Sequence, residues 1–511
     1  MSSSPFRTGV AVLVLLVGLV ARPAPAAAQA PPTSARDRLS NTVTDTIETA
    51  TFEGAFWGIH VVNLRSNEVL YSRNADRLFV PASNVKLFTT AAALDQLGPE
   101  YRYRTTVYAD GDLEDGTLKG NLIVRGAGDP TIGGHEQRRD PTQVFRRWAD
   151  SLKQRGITHV AGNIIGDDTR IDETPLGHGW SWTDITYAYS AEMGGLVFNE
   201  NTVDLEVEGR QVGAPARITW SPFRTDYVEV INRSRTVPYR EEEDDEYQRT
   251  IGTNTIHVTS RLHPNGEDSE SITVTNPTLY FTHVLRSTLL QEGISVDGRT
   301  ADLDDPGLAV NYDRADVRRV ASYRSPPLSE IVQTLNHESQ NLYAEQLLRT
   351  LAAEVPPETD EDLPPGSAEL GVEAVRKTLV RADVDTSRVQ LVDGSGLSRQ
   401  NMVRPQSIVR VLQYMWLHDD PAVSDAFYDA LPEGGRDGTL EYRFQGQAPA
   451  RTNVRAKTGT LSNTSSLSGF VTSGAGAPLA FSIVSNHHMA DSDQVRDAQD
   501  VIVNALARLP L

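Results

Sequence analysis

The chain contains no cysteine. Disulfides, thiol redox chemistry and thiolate–metal sites are therefore excluded, and the fold rests on packing alone. Lysine is almost as scarce: Lys86, Lys119, Lys153, Lys377 and Lys457 are the only five, against 43 arginines. Long apolar runs are missing too. Residues 9–20 (GVAVLVLLVGLV) form a run of about a dozen, whereas a bilayer needs about 20. Positive charge is in deficit, with a formal net charge of −20. Such a chain is unsuited to nucleic acid or an anionic membrane surface.

The short apolar run follows a lone Arg7 and precedes Ala26-Ala27-Ala28 and Ala28-Gln29-Ala30. That order reads as a cleavable export signal over residues 1–30, with no transmembrane anchor left after cleavage; the alternative reading is a retained N-terminal membrane anchor. Cleavage removes Arg7 and Arg22 and no acid, taking the charge from −20 to −22. At 511 residues the chain is too long for one ordinary domain.

Periodicity divides the chain into three parts. Residues 39–50 predict a helix, 55–64 and 68–72 a strand hairpin, and 83–97 a helix stopped by Gly98-Pro99. Residues 101–315 read as short strands separated by turns, with Glu241-Glu-Glu-Asp-Asp-Glu246 as a solvated loop. From about 320 helices return, at 328–335, 339–353, 368–381, 405–418 and 423–430. Strands at 455–461, 465–472 and 479–485 follow, then a closing helix at 493–509. The class is α/β (α+β), with the two flanks forming one domain around a β-rich insertion whose ends lie close together.

The two unusual lysines stand in motifs. Ser83-Asn84-Val85-Lys86 opens an apolar helical stretch, and positions i and i+3 share a helix face, so the amine reaches the hydroxyl. A serine hydroxyl is a weak nucleophile that needs an adjacent base. Arginine cannot serve, because it does not deprotonate at accessible pH. Lysine serves only if burial or another cation, such as Lys457, lowers its pKa from about 10.4. Ser339-Gln340-Asn341 supplies a hydroxyl for proton transfer and an amide to hold the lysine. Lys457-Thr458-Gly459 reads as a strand-edge cation and hydroxyl for a carboxylate, with Gly459 leaving room for a peptide to lie against the strand. The backbone N–H groups of Ser83 and Thr460 are candidates for an oxyanion hole. Each motif has a bland reading as well. Ser83 and Ser339 both suit helix N-caps, and Ser-x-x-Lys alone is a weak signal. Eleven histidines show no metal spacing, and no Gly-x-Ser-x-Gly surrounds a favoured serine.

The order Ser-x-x-Lys, Ser-x-Asn, Lys-Thr-Gly resembles the penicillin-recognising serine enzymes. Gly126-Ala-Gly-Asp-Pro130, Gly179-Trp180, Asn199-Glu-Asn201, Asp393-Gly-Ser-Gly-Leu-Ser398 and the 431–440 stretch narrow the resemblance. They are similar to the class C low-molecular-mass penicillin-binding proteins, the D-alanyl-D-alanine carboxypeptidase/endopeptidases. The resemblance covers essentially the whole chain after residue 30. It implies a transpeptidase-like catalytic domain, an antiparallel sheet with helices, over 31–100 and 316–511. Two nested β-rich domains interrupt it, one over 101–120 and 205–315, the other over 121–204.

It also implies an acyl-enzyme mechanism on peptidoglycan stem peptides, with β-lactams as covalent inhibitors and no cofactor or metal. Ser83 is the nucleophile, Lys86 its base, Ser339 the proton carrier and Asn341 the positioning amide. Lys457, Thr458, Gly459 and Thr460 bind substrate. An acidic residue of the insertion reads the amine side of the stem peptide, at a position the sequence does not mark. The expected location is exported: periplasmic, or extracellular and associated with the cell wall. The motif set also admits a β-lactamase, which the large insertion disfavours, and an idle peptidoglycan-binding scaffold, which the presence of both Ser83 and Lys86 disfavours.

Overall fold

The computed structural model describes Met1 and residues 34–511, apart from 173, 223–224 and 358–362. The expected export signal lies outside the described residues. Among the described residues no helix is long and apolar enough to cross a membrane.

One five-stranded antiparallel sheet organises the flanks, in the order Val454–Leu461, Thr464–Thr472, Pro478–Asn486, Phe56–Asn63, Glu68–Arg73. Alternation of side chains builds a core on each face. Ile59, Val61, Leu467, Phe481 and Ile483 pack with Leu39, Val43 and Ile47 of the Ala35–Ile47 helix, and with Ile502 and Leu506 of the Ser492–Ala507 helix. Their strand neighbours Val62, Phe470, Ala480 and Val484 join the opposite core. That core contains helices Lys86–Leu97, Leu328–His337, Asn341–Glu354, Ala368–Arg381, Pro405–Trp416 and Pro421–Asp429. The Lys86–Leu97 helix is buried from Lys86 through Leu94, as its run of alanines, leucine and phenylalanine requires.

The insertion leaves and returns through one strand pair, with Arg104 opposite Arg324. The Ser325 hydroxyl closes the neck by accepting from the Tyr103 N–H at 2.9 Å. Strand pairing divides this block differently from the expected boundaries. The split at 120/121 falls inside the Thr117–Arg125 strand, which pairs along its length with Arg104–Glu114. One sheet instead unites Arg104–Glu114, Thr117–Arg125, His159–Val160, Ile164–Asp167, Ser295–Val296, Thr300–Asp302 and Val317–Arg324. The nested segment is 202–273, made of three small sheets.

The β-rich reading also passed over two helices, Gln143–Gln154 and Pro277–Gln291. Phe145 and Trp148 of the first pack against Phe281 of the second, at ring separations of 4.8 and 6.1 Å. Between the expected strands, their apolar residues were hidden by charged neighbours such as Arg146, Arg147 and Asp150.

Candidate active site

Ser83 sits in a 3-10 turn, Ala82–Val85, that leads straight into the Lys86–Leu97 helix. No side chain caps this turn, so the N-cap reading of Ser83 does not hold. Three polar contacts fasten the turn to the sheet. The Asn84 amide donates to the Lys457 carbonyl at 2.9 Å, and the Ser466 hydroxyl donates to the Pro81 carbonyl at 2.7 Å. Asn486 pairs with both backbone polar groups of Val80. Ala82 takes a left-handed φ of 49° and Ser339 one of 57°. Strained non-glycine backbone of this kind gathers at functional sites.

The Lys86 amine is fully buried and donates to Ser83 Oγ at 3.1 Å, Asn341 Oδ1 at 2.6 Å and the Ser395 carbonyl at 2.7 Å. Burial lowers its pKa to about 7, against the opposing pull of Asp393 and Glu345. Of the two causes weighed from sequence, burial lowers the Lys86 pKa, and the Lys457 charge is not among its causes. Lys457 is buried as well, and its amine donates to Ser339 Oγ at 2.9 Å. Burial first, and Lys86 second, hold its pKa well below the ordinary lysine range.

Gln340, and not Ser339, caps the Asn341–Glu354 helix by accepting from the Leu342 N–H. Ser339 is left to face Lys457. The Asn341 amide donates to the Tyr189 carbonyl at 2.7 Å, so a loop of the insertion orients the residue that orients Lys86. The middle position of Ser-x-Asn points away from the lysines, where Gln340 donates to Glu200 of the insertion.

Thr458 and Thr460 project from the opposite strand face to Gly459. Thr458 Oγ1 donates to Thr439 Oγ1 at 2.9 Å, and Thr460 is exposed in the cleft. Gly459 has a different reason from the one read in sequence. A Cβ there meets Ser466 Oγ at 2.4 Å, the Ser83 nitrogen at 2.8 Å and the Pro81 oxygen at 3.0 Å. The glycine admits the serine turn against the strand. The Val454–Leu461 strand is the sheet edge, with its first half covered by the Glu433–Arg455 bridge.

The cleft of about 560 Å³ brings Ser83, Ser339, Asn341 and Thr460 together with Gly396 and Arg399. Ser181, Thr183, Asp184 and Tyr189 of the insertion form the facing wall. A sequence profile of the D-Ala-D-Ala carboxypeptidase 3 (S13) family matches residues 39–509. The chain belongs to this family. Among its curated relatives, a D-alanyl-D-alanine carboxypeptidase of Actinomadura sp. (strain R39) is 32% identical over 479 residues, spanning 90% of this chain and 83% of that protein. The D-alanyl-D-alanine carboxypeptidase DacB of Haemophilus influenzae is 27% identical over 444 residues, 84% of this chain and 85% of that one. The crystal structure of penicillin binding protein 4 (dacB) from Haemophilus influenzae shares the fold, with a TM-score of 0.77 at 24% identity over 92% of this chain and 99% of that one. A structure of the same protein complexed with a β-lactam superposes with a TM-score of 0.70 at 23% identity, covering 91% and 98%.

Three parts of this S13 site had weak signals or none. Glu345 lies four residues after Asn341 and so on the same helix face. Asp393 opens the Asp393-Gly-Ser-Gly-Leu-Ser398 stretch. It accepts from the Gly396 and Ser398 N–H groups and from the Trp180 indole at 3.1 Å, tying turn and insertion together. Asp184 is one of 68 acids, in a stretch with no periodicity, and only the fold brings it to the cleft.

Proposed function

We propose that this S13 enzyme is a serine-type D-alanyl-D-alanine carboxypeptidase that works through an acyl-enzyme on Ser83. The observation that carries this reading is a fully buried lysine amine within 3.1 Å of the serine hydroxyl, its pKa lowered by burial to about 7. Lys86 takes the Ser83 proton as Oγ attacks the carbonyl preceding a terminal D-alanine. The oxyanion forms beside the N–H groups of Ser83 and Thr460. Ser339, held by Lys457, relays the proton taken by Lys86 to the leaving D-alanine amine, so that both groups return to their starting state, and Asn341 fixes Lys86 throughout. Lys457 and Thr458 take the terminal carboxylate, whose charge supplies the counter-ion that burial denies Lys457. Water then hydrolyses the ester.

The substrate class is the peptidoglycan stem peptide, and β-lactams are covalent inhibitors at the same serine. Asp184 is the acidic residue of the insertion that reads the amine side of the stem peptide. Its position on the cleft wall opposite the serine turn supports this. An enzyme of this class works where peptidoglycan lies, and the apolar N-terminal run supports export to the periplasm.

The test is incubation with a fluorescent penicillin, followed by peptide mass spectrometry. The expected result is a stable adduct on Ser83, absent in Ser83→Ala. Rapid loss of the label with hydrolysed drug points to a β-lactamase, and a folded protein with no adduct points to a scaffold. For Asp184, Asp184→Asn raises KM for a peptide carrying a free side-chain amine and leaves its acylated analogue unchanged.

A further inference from the structure

Behind Lys86 lies a buried carboxylate that acyl transfer itself does not use. Glu345 is fully buried. One of its oxygens accepts from the Gly394 and Ser395 N–H groups, at 3.0 and 2.8 Å. The carbonyl of that same Ser395 accepts from the Lys86 amine at 2.7 Å. The other Glu345 oxygen pairs with Arg349 at 3.2 Å, and the Arg349 guanidinium lies 3.5 Å from Asp172 of the insertion. Polar contacts therefore link the insertion, by the Arg349–Asp172 ion pair, to Glu345, and then through Ser395, whose N–H and carbonyl belong to successive peptide units, to the amine beside the nucleophile.

Resting on the reading of Lys86 as the base, we propose that Glu345 is a positioning residue that sets both the place and the basicity of Lys86 through the backbone of Gly394 and Ser395. The positional part follows from the two N–H bonds. With Thr89 Oγ1 donating to the Gly394 carbonyl at 2.8 Å, they fix where the Ser395 carbonyl stands. The electrostatic part follows from charge. An ionised Glu345 favours the protonated lysine, and a neutral one favours the free amine.

The groups facing this pair are few. Arg349 lies on the helix of Glu345, Asp393 on the glycine turn, Lys457 on the edge strand, and Asp172 behind Arg349. Burial and Asp393 raise the Glu345 pKa to about 6, while Arg349 and the Ser395 N–H restrain it. Glu345 thus changes charge nearer to the pH at which Lys86 becomes a base than an exposed carboxylate does. A unit charge at this remove, in a protein medium of effective dielectric near 20, moves a pKa by about one unit.

The experiment uses the intact chain with lysine labelled at the ε-carbon, where only five signals arise, and Lys86 is assigned by its loss in Lys86→Ala. In the parent the Lys86 signal is expected to titrate with a main inflection near neutrality and a smaller one at lower pH from Glu345. In Glu345→Gln the smaller inflection disappears, and the main one moves down by about one unit. The acidic limb of penicillin acylation moves with it, because an amine relieved of a neighbouring anion holds its proton less tightly. Glu345→Asp keeps the charge and is expected to keep the limb at its parental pH.

A folded Glu345→Gln with an unmoved acidic limb overturns the proposal, as does a single inflection in the parent. The parental titration decides alone if the Gln variant does not fold. Absence of any penicillin adduct in the parent is a separate failure, that of the acyl-enzyme reading.

Discussion

Substituting Gly459 with alanine tests how closely the serine turn and the edge strand must approach. The added Cβ meets Ser466 Oγ at 2.4 Å, the Ser83 nitrogen at 2.8 Å and the Pro81 oxygen at 3.0 Å. Carbon requires about 3.5 Å from such neighbours, so the turn must retreat by roughly 0.5–1 Å. Rotation of Ser466 relieves only the first contact, and it breaks the 2.7 Å bond to the Pro81 carbonyl. The other two atoms are backbone and cannot turn aside. The displaced group is the Ser83 N–H, assigned to the oxyanion hole. A misplacement near 1 Å costs about 10²-fold in rate, and loss of one oxyanion donor about 10²–10³-fold. The second-order rate of acylation by a chromogenic β-lactam, followed by stopped flow, is therefore expected to fall by about 10²–10³-fold. Overpacking lowers stability by about 1–3 kcal/mol, read as a modest fall in Tm. The double variant Gly459→Ala/Ser466→Gly should stay impaired, because the backbone contacts remain. Acylation within about threefold of the parent would show that the turn has slack and that the reasoning is wrong.

Three further outcomes are expected. Parental acylation rises about tenfold per pH unit up to the Lys86 value of about 7 and levels off above it, since the active amine is the unprotonated one; a flat profile from pH 5 to 8 removes Lys86 as the base. Lys457→Ala raises KM by about 10–100-fold for peptides ending in a free carboxylate and changes little for amidated ones; equal KM values for the two substrates in the parent contradict the role. Gln340→Ala, which releases Glu200, and Trp180→Phe, which releases Asp393, each lower stability by about 1 kcal/mol. Penicillin acylation by Gln340→Ala stays within about twofold, so a larger loss would place Gln340 in the chemistry.

Most of the catalytic core was legible because its signals are local. Helical periodicity marked 368–381 as the Ala368–Arg381 helix, and the Lys-Thr-Gly strand was placed to within a residue. Lys86 and Lys457 stood out by rarity, and burial then explains why lysine is needed there. What stayed hidden depends on distant contacts. Asp184 reaches the cleft only because the insertion folds back toward Ser83, and Glu345 meets the turn at Gly394, 49 residues away, only in the folded chain. Domain nesting was misread because Thr117–Arg125 pairs on one side with its neighbour in sequence and on the other with strands from 159–167. Short β-like runs carry no record of such partners.

The strand order of the main sheet also sets a timetable for the growing chain. Phe56–Asn63 has its inner neighbour in Pro478–Asn486, a pairing of Phe56 with Asn486 across nearly the whole length of the polypeptide. The insertion needs no such wait, since its neck closes within 104–324. During synthesis the insertion can therefore acquire its structure while the nucleophile still hangs on an unpaired hairpin, and contacts of such long range form slowly. The reactive centre is assembled by strands made long after the insertion. A polypeptide cut short before residue 454 holds Ser83 and Lys86 in sequence but has no edge strand on which to mount them.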